Sequence, residues 1–221
     1  MRSRTLYKVT QLITCADQRL GTSTQRAEAV SAIDGMLAYV ETQRSDGLKL
    51  EIEDVPYCGS LEFWFDDLGA SLAFAEQRTL QHTLWRSDPG LDPPLITTTH
   101  VVLGNPAQEP VTEGLKGIFV FRRRADLTIP EFQTHWLETH GPIAARTPHT
   151  SRYVQCHVLP SCYAERTPPY DGITELYWDT LEDAGLAMAS DSMAIEQSTD
   201  AQNFVAAGSV GMLIVSSNRL I

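Results

Sequence analysis

An order of elements that occurs twice constrains this chain more than any other feature. The segment GSLEFWFDDLGA, 59–70, aligns with GITELYWDTLED, 172–183, setting Glu62 against Glu175 and Asp66 against Asp179. An apolar stretch that reads as a helix follows each. Around this anchor the second half reads strand (LKGIFVFRR), helix (LTIPEFQTHWLETH), strand (RYVQCHVL), strand (ITELYWDT), helix (LEDAGLAMAS) and strand (VGMLIVSS). Its first helix has Thr128 as a candidate N-cap and Pro130 in the first turn. The first half reads YKVTQLIT as a strand, TQRAEAVSAIDGMLAYVE as a helix, LKLEIEDV and SLEFWFDD as strands, LGASLAFAEQ as a helix and THVVLGN as a strand. Between them GNPAQEPVTEG, 104–114, is polar, rich in Pro and Gly, and aperiodic, as a linker is. The reading therefore divides the chain into repeats 1–106 and 107–221.

A βαββαβ unit folds as a split-βαβ, ferredoxin-like layer whose two helices cover one sheet face. The other face needs a cover, and a second copy in the same chain supplies it. The expected class is α+β: two tandem ferredoxin-like repeats packed sheet to sheet as an intramolecular α+β barrel, with four helices outside.

Charge and composition exclude several functions. A formal net charge of −11 leaves no basic surface to neutralise nucleic-acid phosphates, and Arg122–Arg124 reads as a solvated strand end. The longest apolar runs fall far short of the roughly 18 residues of a membrane span. The N-terminus, MRSRTLYKVTQLITC, lacks the features of a secretory signal, so a cytoplasmic location is the default. Cysteines stand at 15, 58, 156 and 162 with no CxxC spacing, and all four read as reduced, packed thiols. Cys156 and His157 are adjacent on a strand and point to opposite faces, a poor pair of metal ligands.

Strand alternation then selects candidate site residues. In RYVQCHVL, Val154, Cys156 and Val158 form one face, and Tyr153, Gln155 and His157 the other. Placing the apolar set beneath the helices turns Tyr153, Gln155 and His157 into the space between the sheets. The third strands send Glu175 and Tyr177, and Glu62 and Trp64, to the same interior. An aromatic interior with a few polar groups suits a small molecule, and it equally suits a satisfied structural network.

The stretch HWLETHGP packs two histidines and a tryptophan before a Gly-Pro break. On a regular helix at ~100° per residue, His135 and His140 project about 140° apart, so no metal site is expected. Phe132, Trp136 and His140 share one face, which puts His140 on the core side and His135 and Glu138 toward the surface. As a bare helix-end residue, His140 could also serve only as a C-terminal cap.

FQTHWLETHGPIA, RYVQCHVLP and YDGITELYWDT, taken in this order, resemble the EthD-like family of the dimeric α+β-barrel superfamily, over roughly 115–215. The first repeat lacks the Trp-x-x-x-His helix and a histidine on its second strand, so it resembles a diverged copy that completes the barrel. The resemblance implies a cofactor-independent lyase or isomerase acting on a lactone, polyketide-like or oxygenated aromatic compound. On that reading His140 and His157 are the acid/base pair, and Tyr153 and Glu175 orient them or bind substrate oxygens. Trp64, Glu62, Trp136, Gln155 and Tyr177 contact substrate. The alternatives are a haem-dependent oxidative enzyme of the same superfamily, with His140 or His157 on iron, and a non-catalytic ligand-binding barrel. No cofactor or metal is expected. The expected partner is a small-molecule substrate, with a homodimer allowed through the outer faces, and the Pro-rich loops 87–96 and 161–170 are candidate lids.

Overall fold

The computed structural model describes residues 4–14, 22–45, 55–76, 93–111, 113–164 and 167–221. The first half contains β1 (Tyr7–Thr14), α1 (Ser23–Val30), β2 (Met36–Arg44), β3 (Tyr57–Phe65), α2 (Leu68–Glu76) and β4 (Leu95–Leu103). The second half contains β5 (Gly114–Phe121) and then α3, which runs through Ile129–Thr134, His135–His140 and Gly141–Ala144. It continues with β6 (Arg152–Val158), β7 (Gly172–Trp178), α4 (Leu181–Met188), α5 (Ser192–Gln197 continued by Ser198–Ala201) and β8 (Gly211–Arg219).

The eight strands close one barrel in the order β1-β3-β2-β8-β5-β7-β6-β4. Each half keeps the strand order of a ferredoxin-like unit. The halves join along two equivalent antiparallel seams, β2 with β8 and β4 with β6. Each seam sets the second strand of one repeat beside the fourth strand of the other, and closure leaves no unpaired edge. Register makes the repeat explicit at residue level. Glu62 pairs with Val40 and Glu175 with Val154, so Tyr39, Glu41 and Gln43 occupy the places of Tyr153, Gln155 and His157.

The expected elements of the second half appear with small shifts at their ends. Thr128 caps α3 as expected: its hydroxyl accepts from the Glu131 amide, and the Glu131 carboxylate accepts from the Thr128 amide. The first half departs from expectation. The helix read over 24–41 stops at Val30, and Met36–Arg44 is strand β2. Gly35 at φ 75° turns the chain between them, a conformation that glycine adopts without a Cβ clash. Beyond it, Ala38, Val40 and Thr42 alternate with Tyr39, Glu41 and Gln43, the period of a strand. Residues 48–54 of the expected strand LKLEIEDV lie outside the described residues. Helix α5 was not foreseen at all.

The cysteine reading needs one correction: Cys58 is disulfide-bonded, its partner lying outside the described residues, while Cys156 is a buried thiol. The 104–114 segment is pinned rather than loose. Arg152 donates to the Asn105 carbonyl at 3.1 Å and pairs with Glu109 at 2.5 Å, which holds this connection across one end of the barrel. Of the three consecutive arginines, Arg123 pairs with Asp171, and Arg124 donates to the Gln202 carbonyl at 3.1 Å, so two of them tie loops together. In the Pro-rich segment 161–170, Cys162, Tyr163 and Tyr170 pack against the core inside the barrel rather than over a pocket. Residues 87–92 of the other candidate lid lie outside the described residues.

The interior of the barrel holds Leu12, Ile118, Val120, Val154, Cys156, Val158, Ile173, Tyr177, Leu213 and Val215, all buried. This reverses the expectation for β6. Val154, Cys156 and Val158 face the lumen, and Tyr153, Gln155 and His157 face the helices. The lumen receives side chains from both sheets and is filled by them, as in other eight-stranded barrels. The polar set of β6 is instead satisfied through Gln155, which donates to the Trp136 carbonyl on α3 and bonds both Tyr153 and His157, and this offsets the cost of burying it.

Candidate active site

The outer face of the second sheet is not sealed by its helices. A cavity of about 460 Å³ lies between β5, β6 and β7 below and α3, α4 and α5 above. Its walls include Phe119, Phe121, Trp136, Leu176, Met188 and Phe204, and its polar groups include His140, Tyr153, Thr174 and Gln197. A small apolar cavity with a few convergent polar groups is the usual form of a ligand site.

His140 reaches this cavity from an irregular turn. Through His135–His140 the helix widens to π-helical hydrogen bonding, and the Gly141 amide donates to the Trp136 carbonyl five residues back. A π turn uses i→i+5 bonds and recurs at functional sites. It also overturns the angular expectation for the two histidines, because residues five apart come onto one side. Both reach the same carboxylate: His140 Nδ1 lies 2.9 Å from Asp200 Oδ2, and His135 Nε2 lies 3.1 Å from Asp200 Oδ1. His140 is buried and packs against Phe204 in a tilted contact, with ring centroids 4.9 Å apart. Burial lowers its pKa below the usual histidine value, and the Asp200 hydrogen bond and charge oppose that shift. With Nδ1–H donating to Asp200, Nε2 is left as the acceptor. No cluster of three or more metal-ligating side chains occurs among the described residues.

Tyr153, Gln155 and His157 form a chain behind the cavity wall. Gln155 Nε2 is 2.8 Å from the Trp136 carbonyl and 2.7 Å from the Tyr153 hydroxyl, and Gln155 Oε1 is 2.8 Å from His157 Nε2. The His157 ring stacks on Trp136 at 4.3 Å and 7° and lies 4.5 Å from the His100 ring. Burial, reinforced by His100, drives the His157 pKa down to about 3. Of the sequence-predicted residues, therefore, His140, Tyr153 and Trp136 line the cavity. Gln155 and His157 stand behind it.

Glu175, Glu62, Trp64 and Tyr177 are not in this site. They face the lumen, where Glu175 and Glu62 meet Lys8 and Lys116 in a fully buried cluster. Lys116 Nζ donates to Glu62 at 2.8 and 2.9 Å and to Glu175 at 2.6 Å. Lys8 Nζ lies 2.7 Å from Glu175 and 3.8 Å from Glu62, close enough for ion pairing but without hydrogen-bond alignment to either. The cluster repeats the symmetry of the barrel. Lys8 sits 5.0 Å from the Trp64 ring and Lys116 sits 5.6 Å from the Tyr177 ring. Burial opposes ionisation of Glu175, but Lys116 and Lys8 hold its pKa down to about 2. A carboxylate so firmly ionised, with no route to the cavity, is not a proton shuttle for it.

On the matching sheet face of the first half, aromatic side chains pack together. Tyr39 stacks on Phe63 at 4.8 Å, and Phe63 packs on Phe74 at 4.5 Å. Where Gln155 meets α3, Glu41 instead accepts from Arg26 at 2.6 Å and from Tyr39 at 2.5 Å. The hollow left between α1 and α2 is lined by alanines, Ile33, Asp34 and Phe74, with neither histidine nor tyrosine.

Residues 124–208, which carry both the His140–Asp200 pair and most of the cavity wall, match the model of the EthD domain. This stretch is an EthD domain. Chains with the same barrel include an anthrone oxidase-like protein (TM-score 0.62, 12% identity, 99% of this chain and 94% of that one). Another is a variant of chlorite dismutase from Candidatus Nitrospira defluvii (TM-score 0.53, 14% identity, 100% and 94%). At these identities the likeness is one of fold. No curated protein matches the chain in sequence. No helix among the described residues is long and apolar enough to cross a membrane.

Sequence reasoning missed Asp200, the partner that gives His140 its orientation in the EthD domain. A signal was present: Gln197, Asp200, Ala201 and Phe204 recur at i, i+3, i+4 and i+7, the spacing of one helix face. It also missed Lys8 and Lys116, although YKV and LKG put a lysine at matching places in the first strand of each repeat.

Proposed function

We propose that the protein is a proton-transfer enzyme of the lyase or isomerase class, acting on a small, largely apolar oxygenated compound, with His140 as the general base. The observation that carries this reading is the His140–Asp200 pair at 2.9 Å beside an aromatic cavity. A histidine fixed by a carboxylate through Nδ1 presents a basic Nε2, the arrangement that general-base chemistry needs.

In the proposed step, Nε2 removes a proton from a carbon next to a carbonyl. The C–H electron pair moves onto the substrate oxygen, which the Tyr153 hydroxyl binds. Asp200 stabilises the imidazolium that results. The pair then returns to carbon, either expelling a group from the neighbouring position or accepting the proton at a new one. His140, now protonated, supplies the acid for that second half. The aromatic wall of Phe119, Phe121, Trp136 and Phe204 excludes water from the intermediate.

Haem-dependent oxidation, the alternative within the superfamily, has one candidate ligand in the cavity, His140 Nε2, and little else to support it. His157 Nε2 is held by Gln155 and its ring is stacked on Trp136, so it is not available to iron. The cavity lining contains neither arginine nor lysine to pair with two propionates.

Anthrone, an oxygenated tricyclic aromatic with an acidic methylene, is a suitable probe. In anaerobic D₂O, wild-type protein is expected to accelerate exchange of the methylene protons, followed by NMR. His140→Ala is expected to lose about 10²–10⁴ of that acceleration. Equal exchange by the folded His140→Ala variant overturns the proposal.

A further inference from the structure

The chain of hydrogen bonds behind the cavity has a definite direction, and that direction bears on the site. The Trp136 carbonyl can only accept, so the Gln155 atom 2.8 Å from it is the amide nitrogen. The Gln155 oxygen then faces His157 Nε2 at 2.8 Å and can only accept, so His157 carries its proton on Nε2. The second Gln155 N–H donates to the Tyr153 oxygen at 2.7 Å. Among the described residues no carboxylate or carbonyl takes the Tyr153 proton; the Trp136 and Thr174 side chains stand beside its hydroxyl, and Thr174 also faces the cavity.

We infer that His157 and Gln155 are positioning residues that fix Tyr153 as a hydrogen-bond donor into the cavity, toward an oxygen of the substrate. The inference rests on the proposed proton-transfer reading and deepens it by naming what binds the substrate oxygen and what aims that group.

The first half of the same molecule holds the contrasting case. At the equivalent positions Tyr39, Glu41 and Gln43 replace Tyr153, Gln155 and His157. There the Tyr39 hydroxyl donates to Glu41 Oε1 at 2.5 Å. A carboxylate at this place consumes the tyrosine proton internally, whereas an amide held nitrogen-first leaves it free. One atom type at one strand position thus decides whether the tyrosine can offer a proton outward. The preceding links serve that choice. The π turn presents the Trp136 carbonyl to the amide, and the stack of His157 on Trp136 holds the imidazole flat against it.

The carbonyl stretch of bound acetophenone reads this donation directly, by infrared difference spectroscopy. In wild-type protein the band is expected to be red-shifted from its position in an apolar solvent. Tyr153→Phe is expected to abolish the shift and weaken binding about two- to tenfold, the worth of one hydrogen bond. His157→Phe keeps a ring to stack on Trp136 but no N–H, and is expected to lose the shift although Tyr153 remains. Gln155→Glu, which copies Glu41, is expected to lose it too, and His157→Gln, which copies Gln43 and restores an N–H donor, to recover it. Adding His157→Phe to Tyr153→Phe is expected to cost nothing further. A full red shift in folded His157→Phe or Gln155→Glu, or an absent or unshifted bound band in wild-type protein, overturns the inference. His140→Ala retains the shift if the inference holds, so this readout is separate from that of the proton-transfer step.

Discussion

At the scale of single residues, His140 and His157 look alike in sequence and differ in what each ring nitrogen touches. As a general base His140 works in its neutral form, so the rate rises with pH through its pKa, which burial holds below the usual histidine value. The Asp200 carboxylate raises that pKa again. Asp200→Asn removes the raising cause, and we expect the acid limb of the rate–pH profile to move to lower pH while the plateau falls; an unmoved limb would contradict the pairing. His157 is buried neutral, with a pKa pushed from 6.5 to about 3. The unfolded chain therefore takes up a proton that the folded chain refuses, and stability falls as pH drops below 6.5. The loss by pH 3 is on the order of 3–5 kcal/mol. Thermal unfolding from pH 7 to pH 3 should show a shallower decline in His157→Phe than in wild-type protein. Alternation along RYVQCHVL separated the two faces of β6 correctly in the sequence. Which face met the helices was not legible there, because both a filled lumen and a helix-covered face accept buried side chains. Only the partners of Tyr153, Gln155 and His157 on α3 decide it.

At the scale of elements, the informative departures are a π turn and a missed helix. A regular helix sets His135 and His140 apart, and the local sequence HWLETHGP carries no periodic mark of widening. Asp200 belongs to α5, a segment the sequence reading left unassigned although one face is spaced like a helix; its Ser192, Ser198 and Thr199 are weak helix formers. Close contact between elements also matters. A Cβ added at Gly172 on β7 meets Trp136 at 2.7 and 2.8 Å and Phe121 at 3.1 Å. Gly172→Ala should cost about 1–3 kcal/mol through overpacking, read as a lowered urea midpoint, and should displace Trp136 from its stack on His157. An unchanged midpoint would mean that α3 yields more easily than its contacts indicate.

At the scale of the whole molecule, the repeat in the sequence carried most of the fold, because one matched third strand sets the order of every other element. The charge cluster in the lumen was half legible: the two glutamates are at aligned positions, but their lysines come from strands whose alignment is shifted. Its ions couple the repeats, since Lys116 of the second half binds Glu62 of the first, and Lys8 of the first meets Glu175 of the second. Lys116→Met leaves buried carboxylates short of a partner and should cost about 3–5 kcal/mol. Replacing all four by Met and Leu should restore much of that stability, as measured by chemical denaturation; a quadruple variant weaker than Lys116→Met would show that the charges add net stability. The sign of the pH response follows from the same cluster. Glu175 is held ionised to about pH 2, so its contribution is present above its unfolded value of 4.5 and fades as pH falls from there toward 2.

Because both repeats lie on one chain, Glu41 and Gln155 can differ. A barrel assembled from two identical subunits would have to carry the same residue at both places, and a change that closed one tyrosine inward would close the other. Fusion breaks that obligation: one half can specialise as scaffold, its tyrosine locked to a carboxylate, while its twin remains open to a guest.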